Sequence, residues 1–128
     1  MPVVGMGGYF FRSKDPETLK AWYREHLGVG AGIGTDENGH SNEWVWFTRG
    51  GPMVFEPFQE DSDYFPAEKQ VMINLRVLDI DSLLEQLNAS GIDVITKSEW
   101  DSGGIGRFAR IHDPEGNPIE LWEPPSDA

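Results

Sequence analysis

The sequence predicts an α+β fold: one domain, residues 1–128, made of two β-α-β-β-β modules at about 1–60 and 70–125. Three observations predict it. Two amphipathic segments, Asp15–Gly28 and Asp79–Gly91, each open on an aspartate and close on a glycine, as helices do. Runs of strand character flank both segments, bounded by Gly, Pro, Asn and Asp. One offset relates the halves: Asp15 and Asp79 are 64 residues apart, and so are Arg12 and Arg76, Glu56 and Glu120. A constant offset that carries both a strand–helix junction and a terminal strand indicates an internal duplication.

Taken in order, Val3–Phe11 is apolar and Gly-rich and reads as the first strand. Asp15-Pro16-Glu17 starts a helix, with Asp as cap and Pro in the first turn. Leu19, Trp22, Tyr23, His26 and Leu27 form its apolar stripe and Gly28 ends it. Gly30–Gly34 reads as a short strand. Glu43–Thr48 and Met53–Phe58 read as a hairpin around Arg49-Gly50-Gly51-Pro52, and Gln59–Lys69, acidic and aperiodic, as a surface connection. The second copy begins with the strand Val71–Val77. A helix follows, capped by Asp79 or Asp81, with Leu83, Leu84 and Leu87 inward. Val94–Thr96 and Ile105–His112 read as strands, with a loop carrying Trp100 between them. The turn Asp113-Pro114-Glu115-Gly116-Asn117 then leads into a last strand, Ile119–Trp122.

Composition excludes several functions. With no cysteine there are no disulfides, thiolate metal sites or Cys nucleophile. A formal net charge of −12 speaks against a nucleic-acid partner. No apolar run is long enough for a membrane span and no secretory signal is visible, so a cytoplasmic location is expected. Gly103-Gly104-Ile105-Gly106 is not a phosphate loop, because no Lys-Ser/Thr ending or helix follows it. Aromatic residues make up 12% of the chain, with five Trp, which suits an aromatic-lined cavity.

Paired β-α-β-β-β modules, an Asp-capped helix after the first strand, and the ending Asp113-Pro114-Glu115-Gly116-Asn117-Pro118-Ile119-Glu120-Leu121 together resemble the vicinal oxygen chelate superfamily. That group includes glyoxalase I, fosfomycin-resistance enzymes, extradiol dioxygenases and bleomycin-resistance proteins. The resemblance implies that the modules form a curved mixed sheet around a cup-like cavity, and that two chains assemble as a homodimer.

Strand alternation separates the faces. Ile73, Leu75 and Val77 share an apolar face, as do Ile119 and Leu121, and these should pack on the helices. The opposite, mixed face carries Met72, Asn74, Arg76, Glu120 and Trp122. The 64-residue offset adds Gly8, Phe10, Arg12, Glu56 and Phe58. Trp44 and Trp46 lie two apart and would extend the wall by stacking. The expected binding cavity therefore comprises Phe10, Arg12, Trp46, Glu56, Phe58, Met72, Asn74, Arg76 and Trp122, with Glu120 as the catalytic candidate. That lining suits an apolar or aromatic small-molecule ligand.

The resemblance places metal ligands at the positions of Gly8, Glu56, Met72 and Glu120. Gly8 has no donor and Met72 is a poor one for hard or borderline divalent ions. A metal-free cavity is therefore expected, of the bleomycin-resistance kind. The alternative is a divalent-metal-dependent lyase, isomerase or dioxygenase of the glyoxalase type, holding Zn, Ni, Mn or Fe through Glu56 and Glu120. A third reading is metal-free acid/base catalysis by one glutamate. Glu56 and Glu120 also read as ion-pair partners of Arg12 and Arg76. His26 suits the negative end of the first helix, His40 is a solvated loop residue, and His112 either caps the turn it precedes or looks into the cavity, the turn role being favoured.

Overall fold

The computed structural model describes residues 2–126. Helix α1 spans Pro16–Leu27. The Asp15 carboxylate accepts from the Thr18 amide at 3.2 Å and from its hydroxyl at 2.7 Å, which satisfies the open start of the helix. Gly28 closes the helix in the left-handed region, its N–H turned back to the Arg24 carbonyl. Strand β1 is Ile73–Arg76, helix α2 is Ile80–Ala89, strand β2 is Arg107–His112 and strand β3 is Pro118–Glu123, with a 3-10 turn at Ser98–Asp101. The α2 cap is Asp79, which accepts from the Ser82 amide at 3.2 Å.

The strands form one mixed, open sheet in the order β1-β3-β2. β1 runs parallel to β3, and β2 antiparallel to it. One face carries the core. Leu75, Ala109, Ile111, Ile119 and Leu121 from the strands gather with Leu19 and Tyr23 of α1 and Ile80 and Leu87 of α2. The alternation read from the sequence therefore assigns the buried face of β1 and β3 correctly. No helix among the described residues is long and apolar enough to cross a membrane.

The Asp113–Asn117 turn is the joint of the molecule. Asp113 is buried and accepts from the amides of Glu115 and Asn117 and from the Asn117 side chain at 2.8–3.0 Å. It also accepts from the Tyr23 hydroxyl of α1 at 2.8 Å, while burial and this bond push the Tyr23 phenol pKa upward. The Glu115 carboxylate accepts from the Ser13 hydroxyl and from the amides of Lys14 and Asp15. A turn in the second half thus anchors the helix of the first.

The first half otherwise departs from the expected modules. Residues 2–14 and 29–72 contain no helix or strand. The strand expected over Val3–Phe11 is irregular and exposed. Gly30–Gly34 meets Glu43–Thr48 through two backbone bonds only, Gly32 N–H to Val45 C=O at 3.0 Å and Phe47 N–H to Ile33 C=O at 2.9 Å. The close approach at Gly34 requires glycine: its φ is +85°, and a Cβ there would lie 2.6 Å from the Phe47 carbonyl oxygen. Met53–Phe58 makes no backbone bond to Glu43–Thr48 among the described residues, so the expected hairpin is not formed. Trp44 is 84% exposed and Trp46 37%. In the second half Val94–Thr96 reduces to a single bridge, Ile95 to Arg110, with bonds of 2.9 and 2.8 Å. The expected two-module cup is therefore represented, among the described residues, by three strands and this bridge.

Candidate functional site

The open face of the sheet carries a row of three polar side chains across its centre. Register sets Asn74 of β1 and Arg110 of β2 on either side of Glu120 of β3. Alternation points all three away from the apolar core. Glu120 is only 8% exposed. Its carboxylate accepts from Asn74 Nδ2 at 2.8 Å and from the hydroxyl of Tyr64, which reaches in from the irregular segment before β1.

Arg110 is more buried still, at 5% exposure, and its backbone is held by both β3 and the bridge to Ile95. Its guanidinium carbon lies 4.9 Å from the centre of the Tyr64 ring and 5.5 Å from that of Trp100. Among the described residues it forms no ion pair, and its Nε and Nη2 are buried without an acceptor. Tyr64 thus uses its hydroxyl on Glu120 and its ring on Arg110, keeping apart two opposite charges that are cross-strand neighbours. Burial, then the bond to Glu120, push the Tyr64 phenol up to about 12, against the opposing pull of Arg110. Tyr64 is accordingly a neutral donor across the ordinary pH range.

Beside this row lies a cavity of about 510 Å³. Residues 61–67 form one wall, with Ile95, Lys97, Trp100, Arg110 and His112 opposite. Its aromatic lining continues outward, with ring centres 6.0 Å apart for Tyr64 and Trp100, 5.5 Å for Phe58 and Tyr64, and 5.7 Å for Phe58 and Phe65. The His112 pKa is lowered by burial and by the nearby Arg110, so its imidazole favours the neutral form.

The candidate residues read from the sequence separate into groups. Glu120, Asn74 and Phe58 come together around Tyr64. Trp122 lies one row further along, stacked on Phe108 at 6.1 Å with its indole N–H donating to the Ile105 carbonyl. Arg76 donates to the carbonyls of Arg49, Gly50 and Pro52 and ties that turn to β1. Met72 is half-buried just before β1. Phe10, Arg12, Trp46 and Glu56 are exposed and do not line the cavity, Phe10 at 93%. The expected Arg–Glu ion pairs do not form among the described residues, because Arg76 is spent on backbone carbonyls and Tyr64 and Asn74 occupy Glu120.

Arg110 and Tyr64 lie outside the cavity set expected from the sequence. The alternation of β2, with Phe108, Arg110 and His112 opposite Ala109 and Ile111, carries the signal for Arg110. Nothing local marks Tyr64, whose place depends on how an aperiodic segment crosses the sheet. Trp100, expected in a loop, sits on the 3-10 turn at the cavity wall.

The donors do not suit the divalent ion that the family resemblance implies. Among the described residues no three His, Asp or Glu side chains gather. Glu120 already accepts from two donors, and its register neighbour on β2 is a cation. Three protein ligands are the usual minimum of a catalytic metal site.

Comparison with known proteins agrees with this architecture. The model of a family described as a glyoxalase-like domain matches residues 9–122. TnmS3, an antibiotic binding protein from Streptomyces sp. CB03234, superimposes with a TM-score of 0.58 at 22% identity, over 98% of this chain and 99% of its own. An integron cassette protein from the mobile metagenome of the Halifax Harbour sewage outfall gives 0.51 at 19% identity, over 92% and 99%. No curated protein sequence matches. The chain belongs to the glyoxalase-like domain family.

Proposed function

We propose that this glyoxalase-like protein binds a planar, largely apolar small molecule in the cavity beside Tyr64 and Trp100, and that it does so without a metal. The observation that carries this reading is the aromatic lining, Tyr64, Phe65 and Trp100, of a space of about 510 Å³, backed by Phe58 packed on Tyr64 and Phe65. That volume lies within the usual range of small-molecule sites, and flat rings stack well on such walls. The similarity to TnmS3, itself an antibiotic binding protein, supports a binding rather than a metal-dependent role. So does the donor set around Glu120.

Tryptophan fluorescence titrations with naphthalene and anthracene derivatives test the reading. Saturable quenching is expected, weakened at least tenfold in Trp100→Leu. Flat titrations across the series would remove it. Metal analysis of purified protein, with melting curves in added Zn, Ni, Mn and Fe, tests the metal-free part; stoichiometric metal or a stabilising shift would overturn that part alone. A homodimer completes the proposal. Val4, Phe10, Trp44, Met53, Val54 and Phe55 are large apolar side chains left exposed in the first half, and a second copy would cover them. Sedimentation at micromolar concentration should give twice the chain mass.

A further inference from the structure

We propose that Arg110 is a preformed anchor for an anionic oxygen of the ligand, so that the cavity selects planar aromatic acids or phenolates over their uncharged counterparts. The proposal rests on the cavity reading above and adds the chemical class of what enters.

The geometry is unusual for a structural arginine. The residue is only 5% exposed, yet no carboxylate lies within ion-pairing distance among the described residues. Two of its nitrogens are buried without an acceptor. A buried, unpaired charge is costly, and natural proteins satisfy such groups or use them. The carboxylate that could neutralise it, Glu120, stands directly opposite in register but is occupied by Tyr64 and Asn74. The guanidinium carbon instead lies 4.9 Å from the centre of the Tyr64 ring and 5.5 Å from that of Trp100. Contacts of this kind hold the ion in place but leave its Nε and Nη2 without acceptors. Arg110 lines the cavity, and both of its aromatic partners line it as well. A ring lying along Tyr64 and Trp100 would bring its substituent to the guanidinium, where a carboxylate or phenolate oxygen accepts charge-assisted bonds. The rest of the cavity edge argues for a single, well-placed anionic group. Asp61 and Asp63 oppose Lys97 there, and the whole chain carries −12, so a polyanion would be repelled.

Calorimetric titration of the full-length protein with 2-naphthoate and 2-naphthamide, which differ in charge but hardly in shape, tests the proposal. The acid is expected to bind at least tenfold more tightly than the amide. Arg110→Met should abolish that preference, and Arg110→Lys, which keeps the charge without the planar fork, should retain part of it. Equal binding of acid and amide by the wild type would overturn the anchor while leaving the aromatic cavity standing. So would an undiminished preference in a folded Arg110→Met. No binding of either compound would overturn both readings. The wild-type comparison needs no variant, so a failure of Arg110→Met to fold leaves the test decisive.

Discussion

Phe55 and Ile119 occupy equivalent places in the two repeats, yet Phe55 is 80% exposed and Ile119 is fully buried. The adjoining pair, Glu56 and Glu120, diverges in the same way: the first is exposed, the second sits under Tyr64 between Asn74 and Arg110. The helices do not diverge. Asp15 and Asp79 each accept from the amide three residues on, at 3.2 Å in both halves. The 64-residue offset thus holds for the helix caps and not for the strands. A helix satisfies its backbone within its own segment, whereas a strand must borrow partners from elsewhere. β3 lies between β1 and β2, while Met53–Phe58 has no ladder among the described residues.

Paired substitutions at equivalent positions can break that contrast. The largest expected difference is between Ile119→Ala and Phe55→Ala. The first removes a buried side chain and should cost about 2–5 kcal/mol. The second, at an exposed site, should cost within about 0.5 kcal/mol. Urea unfolding measures both; comparable losses would show that the first half is covered in solution, and a concentration dependence of the Phe55→Ala loss would identify a second copy as the cover.

Next come the glutamates. Glu120→Gln weakens two hydrogen bonds at a buried site and should cost about 1–3 kcal/mol, whereas Glu56→Gln should leave stability within about 0.5 kcal/mol. Ligand titrations on the same variants sharpen the comparison. Loss of binding with Glu120→Gln alone is expected, since it loosens Tyr64 at the cavity wall. Equal losses would place Glu56 in the site after all.

The helix caps should behave alike. Asp15→Ala and Asp79→Ala are each expected to cost about 1 kcal/mol by thermal unfolding. The Asp15 backbone amide keeps its bond to Glu115 in Asp15→Ala, so a much larger cost there than at Asp79 would overturn the equivalence of the two caps.

The smallest effect is a pH dependence. The folded Tyr64 phenol, raised to about 12, lies above its ordinary value of 10.0, so the protonated form is the one that folding favours. Its contribution is complete below about pH 10 and is lost as pH rises through about 12. Stability of the wild type should therefore fall more steeply than that of Tyr64→Phe across that window, and matching slopes would remove Tyr64 from the account.

Local chemistry made much of this legible. The caps Asp15 and Asp79, the stop at Gly28, the turn at Asp113–Asn117 and the core face of β1 and β3 all follow from neighbours within a few residues. The same alternation places Asn74 and Glu120 on one face. The pairing of Glu120 with Tyr64 was not legible, because 56 residues separate them and the segment around Tyr64 has no periodicity to orient it. Nor was the isolation of Arg110, since whether a buried charge finds a counter-ion depends on what the opposite strand's carboxylate is already holding.

The sequence by itself determined two capped helices, a tight turn, and which face of the final strand is apolar, since each is set by short-range sterics and hydrogen bonding. Tertiary structure alone decided that one repeat is paired into a sheet while the other is not, and that Tyr64 lies between Glu120 and Arg110. Those outcomes depend on which distant segments meet, and no local rule of chain chemistry specifies that meeting.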